Sequence, residues 1–302
     1  MSAATSADHE GRAAPSAPSV LRILLGAQLR RLREARGISA AEAAKAICGS
    51  ESKISRIELG RTSVREIDVA DLLDLYRITD AAEREQLLDL ASKANEHGWW
   101  HHYHDVLPAW FQAYLGLEQS AKFIRSYDVQ FVPGLLQTEE YSQAVIELGS
   151  FPQESTERRV QVRQERQRRF AAGGFGLHAV IDEGALRRPV GSASVMHLQL
   201  RHLIDLADQP GVTIQITPLR TGASYAAPGS FSILSFAADD LADVVYVELL
   251  TSALYLDKPT EVERYTEAMD LIRSASTTPE ETRRFLWSML TEQEQLPEVL
   301  TG

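Results

Sequence analysis

The feature that most restricts the fold is a pair of helix starts placed close together in the N-terminal part of the chain. Ser39 stands before "AAEAAKAI" with Glu42 three residues on, which is the spacing of a capping box. "CGS" at 48–50 then makes a tight turn, and Ser50 can cap the next helix. Two short helices joined by so short a turn predict a helix-turn-helix arrangement.

Apolar residues on both sides of this turn recur at helical spacing. Leu25, Leu29 and Leu32 lie on one face of a first helix, and two further amphipathic stretches follow at 64–78 and 81–100. With the two short helices, these stretches predict a bundle of five helices in about 75 residues.

The pattern changes after residue 96, where β-compatible and helical runs alternate. The β-compatible runs are 121–132, 176–181, 212–219, 229–237 and 244–250. The helical runs are 138–148, 154–170, 192–208, 259–275 and 279–290. We therefore predict an α+β multidomain protein, in which an N-terminal all-α five-helix helix-turn-helix domain is followed by a mixed α/β domain.

The same patterns divide the chain into four predicted segments. These are a disordered tail at 1–20, the helix-turn-helix domain at 21–95, a helical and aromatic junction at 96–118, and the α/β domain at 119–302. The tail has neither a basic leader nor an apolar signal core, and no apolar run approaches the roughly 20 residues that span a bilayer. Cys48 is the only cysteine, so no intrachain disulfide can form, and we expect a cytoplasmic protein with no membrane partner.

Charge is distributed unevenly along a chain whose formal net charge is −11. Ten basic residues stand against four acidic ones between 21 and 65, whereas three basic residues stand against eight acidic ones between 66 and 95. A basic stretch followed at once by an acidic one predicts one face suited to an anion and another turned away from it.

The third helix of the bundle, at 50–59, carries a surface suited to the major groove of DNA. On a helical wheel Ser52, Ser55 and Arg56 share the exposed side, and Glu51 lies at its edge. Arg56 can donate two hydrogen bonds to guanine, Glu51 can accept one from cytosine, and the serines can bind base edges or phosphates. The alternative is a solvated helix of a small bundle with no ligand.

Phosphate contacts would supply affinity without reading sequence, and several side chains near this helix are candidates for them. The predicted DNA-binding residues are therefore Glu51, Ser52, Ser55 and Arg56, which face the bases, together with four candidates for phosphate contacts: Arg30, Ser50, Lys53 and Arg61.

The stretch "LRRLREARGISAAEAAKAI…SESKISRIELGR" resembles the Xre-type helix-turn-helix of phage-repressor-like regulators over about residues 24–75. By this resemblance the third helix is the recognition helix. Arg33 and Glu58 occupy positions that form a partly buried salt bridge in relatives, which ties the first helix to the third. Ala40 departs from the pattern, because relatives commonly have a phosphate-contacting glutamine there.

A longer resemblance covers nearly all of residues 24–290. "GWW…YHDVLP…FQAYLGLEQSAKFIRSYDVQFVPGLLQTEEYSQAV" and "LRRPVGS…QLRHLIDLA…VTIQITPL" are similar to actinobacterial regulators that join this helix-turn-helix to a C-terminal antitoxin-like domain of unknown function. The resemblance implies a transcriptional regulator, and we expect a homodimer on a double-stranded DNA operator. The alternative is an antitoxin-like module that binds a small partner protein and autoregulates its own operon.

Three other groups of residues are candidate sites in the rest of the chain. Aromatic residues near and beyond the junction would line an effector pocket or pack in the core: Trp99, Trp100, Trp110, Tyr114, Tyr127 and Phe131. The histidines at 97, 101, 102 and 104, with Asp105, form a candidate metal cluster in which His97 and His101 are spaced i, i+4, but no cysteine ligand lies nearby, and no metal or cofactor is predicted. The six arginines within 157–170 favour a solvated helix with i, i+4 ion pairs over a second phosphate-binding strip or an effector-anion site.

Enzyme motifs are lacking in the sequence. It has no nucleophile elbow, no HExxH and no phosphate-binding loop with its lysine. Asp182 and Glu183 follow a predicted strand, where paired acidic residues favour a solvated turn over acid–base catalysis. No catalytic residue is predicted.

Overall fold

The structure is a computed structural model that describes residues 20–60, 62–95, 98–149, 152–221, 229–236 and 242–295. Most of the predicted tail lies outside these residues, as do Arg61 of the predicted DNA-binding set and His97 of the histidine group. In the part of the chain that is described, no helix is both long enough and apolar enough to cross a membrane.

Five helices form the N-terminal part, as the spacing predicts. They are α1 (Val20–Ala35), α2 (Ala40–Ala46), α3 (Glu51–Glu58), α4 (Glu66–Leu75) and α5 (Ala81–Asn95). Ser39 and Glu42 form the reciprocal capping box at the start of α2, and the Ser50 hydroxyl accepts a hydrogen bond from the backbone N–H of Lys53 at the start of α3. Gly37 has a φ of 67°, which a glycine adopts without strain, and it turns the chain after α1.

The second part alternates helices and strands. Its helices are α6 (Ala109–Ser120), α7 (Glu139–Glu147), α8 (Gln153–Ala171), α9 (Glu183–Arg187), α10 (Ala193–Ala207), α11 (Pro259–Ala275) and α12 (Pro279–Gln295). Its strands are β1 (Ala121–Asp128), β2 (Gly176–Asp182), β3 (Val212–Thr217), β4 (Phe231–Phe236), β5 (Val244–Glu248) and β6 (Ala253–Leu256).

One mixed sheet holds the strands in the order β3-β2-β1-β4-β5-β6. β1, β2 and β3 are parallel, whereas β4 pairs antiparallel with the other edge of β1 and continues into an antiparallel meander. The predicted fold class is confirmed: a helical region with the helix-turn-helix is followed by a mixed α/β region.

The two faces of the sheet are covered by different helices. Met269 and Ile272 of α11 pack against one face, beside Ile233 and Val245. α6 packs on the opposite face, to which Ile124 of β1 belongs. α6 also contacts α1, so the apolar core is continuous from the helix-turn-helix to the sheet. The boundaries predicted for the individual domains stay a prediction.

Candidate nucleic-acid interface

The α3 helix is anchored by two isoleucines and turns a polar side outward. Ile54 and Ile57 are 1% and 2% exposed. Ser52, Ser55 and Arg56 are exposed on the other side of the helix. Arg56 makes no ion pair with any residue that the structure describes. A two-turn helix with a free guanidinium between small hydroxyl side chains has the size and donors that fit a major groove.

An ion pair fixes α3 to α1. Arg33 donates from Nε to Glu58 Oε1 at 2.6 Å and from Nη2 to Oε2 at 3.1 Å. Its Nη1 also donates to the carbonyl oxygen of Ile38 at 2.8 Å, just before α2 begins. Hydrogen bonding to Glu58 raises the pKa of Arg33 above its ordinary value. This bidentate geometry sets the angle at which α3 is presented, and Glu58 is turned away from the exposed face.

Gly26 lets the backbones of α1 and α3 approach one another closely, a role that was not predicted from the sequence. A Cβ at this position would lie 2.3 Å from the carbonyl oxygen of Ile57 and 2.7 Å from that of Glu58. Both are backbone atoms, which cannot move aside without moving α3. The signal available in the sequence is a glycine inside an apolar helical run, "LLGAQL".

We expect Gly26→Ala to lower the free energy of unfolding by about 1–3 kcal/mol and to weaken selective DNA binding, because α1 and α3 must separate. Urea denaturation and a gel-shift assay measure the two effects. Gly116→Ala in α6 is the matched control, since its Cβ would meet Trp100 only at 3.5 Å. If both alanines leave stability unchanged, the close helix approach has no energetic role.

Asp68, at the start of α4, is a second residue whose role was not predicted from the sequence. Its carboxylate is 2% exposed and binds two cations: Lys53 Nζ lies 2.9 Å from Oδ2, and Arg65 Nη2 lies 2.5 Å from Oδ1. Lys53, predicted to contact phosphate, is therefore paired within the protein in this structure. Asp68 is one of eight acidic residues between 66 and 95, so nothing in the sequence marks it as the partner of Lys53 and Arg65.

We expect Asp68→Asn to lower the free energy of unfolding by about 1–2 kcal/mol at pH 7, since Arg65 and Lys53 lose a charged acceptor while exposed Arg65 regains water. The hydrogen bond from Arg65 and then that from Lys53 hold the pKa of Asp68 below its ordinary value. This stabilisation is therefore present above the unfolded pKa of about 3.9 and is lost as the pH falls through the lower folded value.

Urea denaturation at pH 7 and near pH 3 checks this, and the difference between wild type and variant should shrink at acid pH. Asp89→Asn is the control, because Asp89 pairs with Lys93 where both side chains are exposed. A difference for Asp68→Asn that is the same at both pH values would contradict the assigned charge interaction.

Arg30 and Ser50, which are also predicted to contact phosphate, are both exposed. Arg30 is exposed and pairs with Glu34 at 2.8 Å, an i, i+4 pair that water and salt weaken, so a phosphate can replace the carboxylate. Ser50 is exposed, and its oxygen accepts the cap hydrogen bond, which leaves its hydroxyl proton to donate.

The structure does not bring the six predicted pocket aromatics together. Trp99 and Trp100 meet edge to face at the turn Trp99–Tyr103, and Trp110 lies on α6. Tyr114 packs with the core on the α6 side of the sheet, whereas Tyr127 packs with Phe231 on the opposite side. Phe131 packs partly buried against the main core.

The histidine group and the arginine stretch have structural partners. Asp105, beside the histidines, is ion-paired with Arg158 at 2.7 Å, and the described residues contain no cluster of three potential metal ligands. The expectation of a solvated arginine helix is wrong for its middle, where Arg166 is buried against Glu118 of α6. Glu183 is also buried, at 7% exposed, and is not in a solvated turn.

Comparisons with known proteins match both parts of the chain. Residues 111–288, more than half of it, match a family model described as a domain of unknown function (DUF5753). Residues 24–87 match a helix-turn-helix domain, a type of domain that indicates a DNA-binding regulator. No curated protein and no solved structure matches the chain significantly.

Proposed function

The chain belongs to the family defined by the domain of unknown function DUF5753, and because a helix-turn-helix domain precedes that domain, we propose that it is a sequence-specific transcriptional regulator. The observation that carries the proposal is the exposed face of α3. This helix is fixed to the bundle by Ile54, Ile57 and the Arg33–Glu58 ion pair, and it presents Arg56 without a charged partner among the described residues. A rigid support and a free guanidinium are what base readout needs.

The contacts divide into two groups. Glu51, Ser52, Ser55 and Arg56 face the bases, while Arg30, Ser50, Lys53 and Arg61 bind phosphates. Lys53 exchanges Asp68 for phosphate on binding, and Arg65 stays to neutralise Asp68.

A lone two-turn recognition helix buries too little surface to be selective in a genome, so we propose a homodimer on a two-fold-related operator. Its half-sites lie about one helical turn apart. The helix-turn-helix is of the Xre type of the actinobacterial regulators, and the protein acts in the cytoplasm. The α/β domain supplies dimerisation and senses an effector.

Selection of bound fragments from the source genome, followed by footprinting and light scattering, tests this function. The expected result is one inverted-repeat motif protected by two protomers. Retention of all fragments with equal affinity would contradict sequence-specific regulation, and binding as one protomer would contradict the dimer.

A second candidate function is an antitoxin-like module that docks a small protein, and the exposed β5–β6 edge favours it. β6 pairs only with β5 within the described residues, so one side of its backbone is open. Leu250 in the connecting turn is 98% exposed, and Leu254 on β6 is 47% exposed. Co-expression with the products of adjacent small genes tests this, with Leu250→Ser as the disrupting variant and exposed Leu148→Ser as the control.

A further inference from the structure

The exposed face of α3 ends in an apolar side chain, that of Leu59. Leu59 follows the last residue of α3 and caps its C-terminal end. Its backbone N–H donates to the carbonyl oxygen of Ser55 at 3.0 Å, which is the i to i−4 hydrogen bond of an α-helix. Leu59 therefore keeps the helical register of the residues before it.

This register places Leu59 in line with the residues proposed to face the bases. Around the helix axis, Leu59 lies about 20° from Ser52, about 40° from Ser55 and about 60° from Arg56. All four side chains are exposed, and that of Leu59 is 43% exposed. The face of α3 is therefore not polar throughout, because a branched apolar side chain follows the hydroxyls and the guanidinium.

The residues next to Leu59 hold it outward. Ile57 is 2% exposed and Glu58 is ion-paired with Arg33, and these two contacts fix the rotation of α3 about its axis. Gly60 is buried, has a φ of 65°, and donates from its N–H to the carbonyl oxygen of Ile57 at 2.9 Å, which ends the helix. Leu59 cannot turn toward the core unless these contacts break.

The chemistry of a leucine side chain selects one kind of group in the major groove. Leucine neither donates nor accepts a hydrogen bond, so a phosphate held against it would lose water without a return. Thymine carries a 5-methyl group in the major groove, and apolar side chains contact this methyl group in direct readout. Contact between the two removes apolar surface from water, which is favourable.

The length of α3 lets Leu59 reach a base while Arg56 binds another. Leu59 lies about 4.5 Å beyond Arg56 and about 12 Å beyond Glu51 along the helix axis. Successive base pairs are about 3.4 Å apart, and the major groove is about 12 Å wide. The whole face from Glu51 to Leu59 therefore fits in one groove, with Leu59 one or two base pairs from the base that Arg56 contacts.

We propose that Leu59 is a specificity-determining residue, which contacts the 5-methyl group of a thymine one or two base pairs from the guanine bound by Arg56. The inference rests on the proposed function, because it names a base of the operator that this function requires. Arg56 selects guanine by hydrogen bonds, whereas Leu59 selects thymine by apolar contact.

Replacing thymine by uracil tests this contact, because it removes the methyl group and keeps base pairing and every hydrogen-bonding group. In an operator fragment selected by the wild-type protein, the thymines of one half-site are replaced by deoxyuridine one at a time. Competition gel shifts with the full chain should show a loss of affinity of about fourfold at one position, near the guanine, as expected for one methyl group returned to water. In Leu59→Ala, this ratio should fall to about one.

Two further variants control for changes that do not involve the methyl contact. Leu148→Ala makes the same substitution at an exposed leucine that caps the C-terminal end of α7, and it should keep the fourfold ratio. Leu59→Met keeps an apolar side chain of similar volume and should keep most of it. All three variants should unfold at nearly the same urea concentration as the wild type, because both leucines are exposed.

The proposal is overturned if no uracil replacement weakens wild-type binding, or if Leu59→Ala shows the same fourfold ratio as the wild type. In either case an operator has been selected, so the proposed function stands and only the role of Leu59 fails. If the wild type selects no sequence at all, the proposed function fails, and the role of Leu59 fails with it.

Discussion

Replacing Glu118 with glutamine is expected to lower the free energy of unfolding by about 3–5 kcal/mol. Glu118 and Arg166 are 6% and 8% exposed, and they form two hydrogen bonds, at 2.8 and 2.7 Å. Burial lowers the pKa of Arg166, but the Glu118 carboxylate more than offsets this, so its pKa lies above the ordinary value. The amide leaves that guanidinium charged and uncompensated in the interior, and urea denaturation measures the loss.

Two further variants separate the charge effect from a packing effect. Glu165→Gln makes the same change where Arg168 is 70% exposed and Arg169 is 46% exposed, and we expect less than about 0.5 kcal/mol there. The double variant Glu118→Leu with Arg166→Met replaces the pair by apolar groups of similar volume and should recover most of the lost stability. If Glu118→Gln lowers the free energy of unfolding no more than Glu165→Gln does, the buried ion pair does not contribute importantly to stability.

This ion pair shows why part of the structure is not predictable from local pattern. The i, i+4 spacing within 157–170 correctly indicates the pairing of Arg169 with Glu165. The partner of Arg166 is 48 residues away on α6, so nothing near it in the sequence indicates burial. A charge pattern predicts local pairs well and distant ones not at all.

Helices with strong periodicity and clear end signals are predicted closely. The predicted helix at 259–275 coincides with α11, which has a proline at its start, and the caps of α2 and α3 form as predicted. β6 was missed because four residues carry no period, and its formation depends on the tight turn after β5. The position of β4 beside β1 could not be predicted either, because a sequence pattern does not determine the order of strands in a sheet.

Part of the proposed DNA-binding face could be predicted from the sequence, and part of it depends on tertiary packing. The exposed side of α3 follows from its 3.6-residue period, which places Ile54 and Ile57 inward. The pairing of Lys53 with Asp68 and the close approach at Gly26 depend on how α4 and α1 pack against α3, so they are tertiary facts.

Arg56→Ala is expected to reduce discrimination between the operator and unrelated DNA by about 1–3 kcal/mol per half-site, roughly 5- to 150-fold. Arg56 carries the guanidinium on the exposed face of α3, and this group can donate two hydrogen bonds to guanine. Competition gel shifts with a fragment selected by the wild-type protein measure the ratio. Stability should change by less than about 0.5 kcal/mol, because Arg56 is exposed and makes no ion pair with a described residue.

Arg30→Ala removes one positive charge in the same domain and serves as the comparison. If Arg30 binds phosphate, its loss weakens binding to all sequences alike and reduces the salt slope by about 1, while the discrimination ratio stays constant. The two variants therefore separate affinity from selectivity. If Arg56→Ala weakens every sequence equally and leaves the ratio unchanged, Arg56 contacts backbone phosphate, and α3 does not read bases through it.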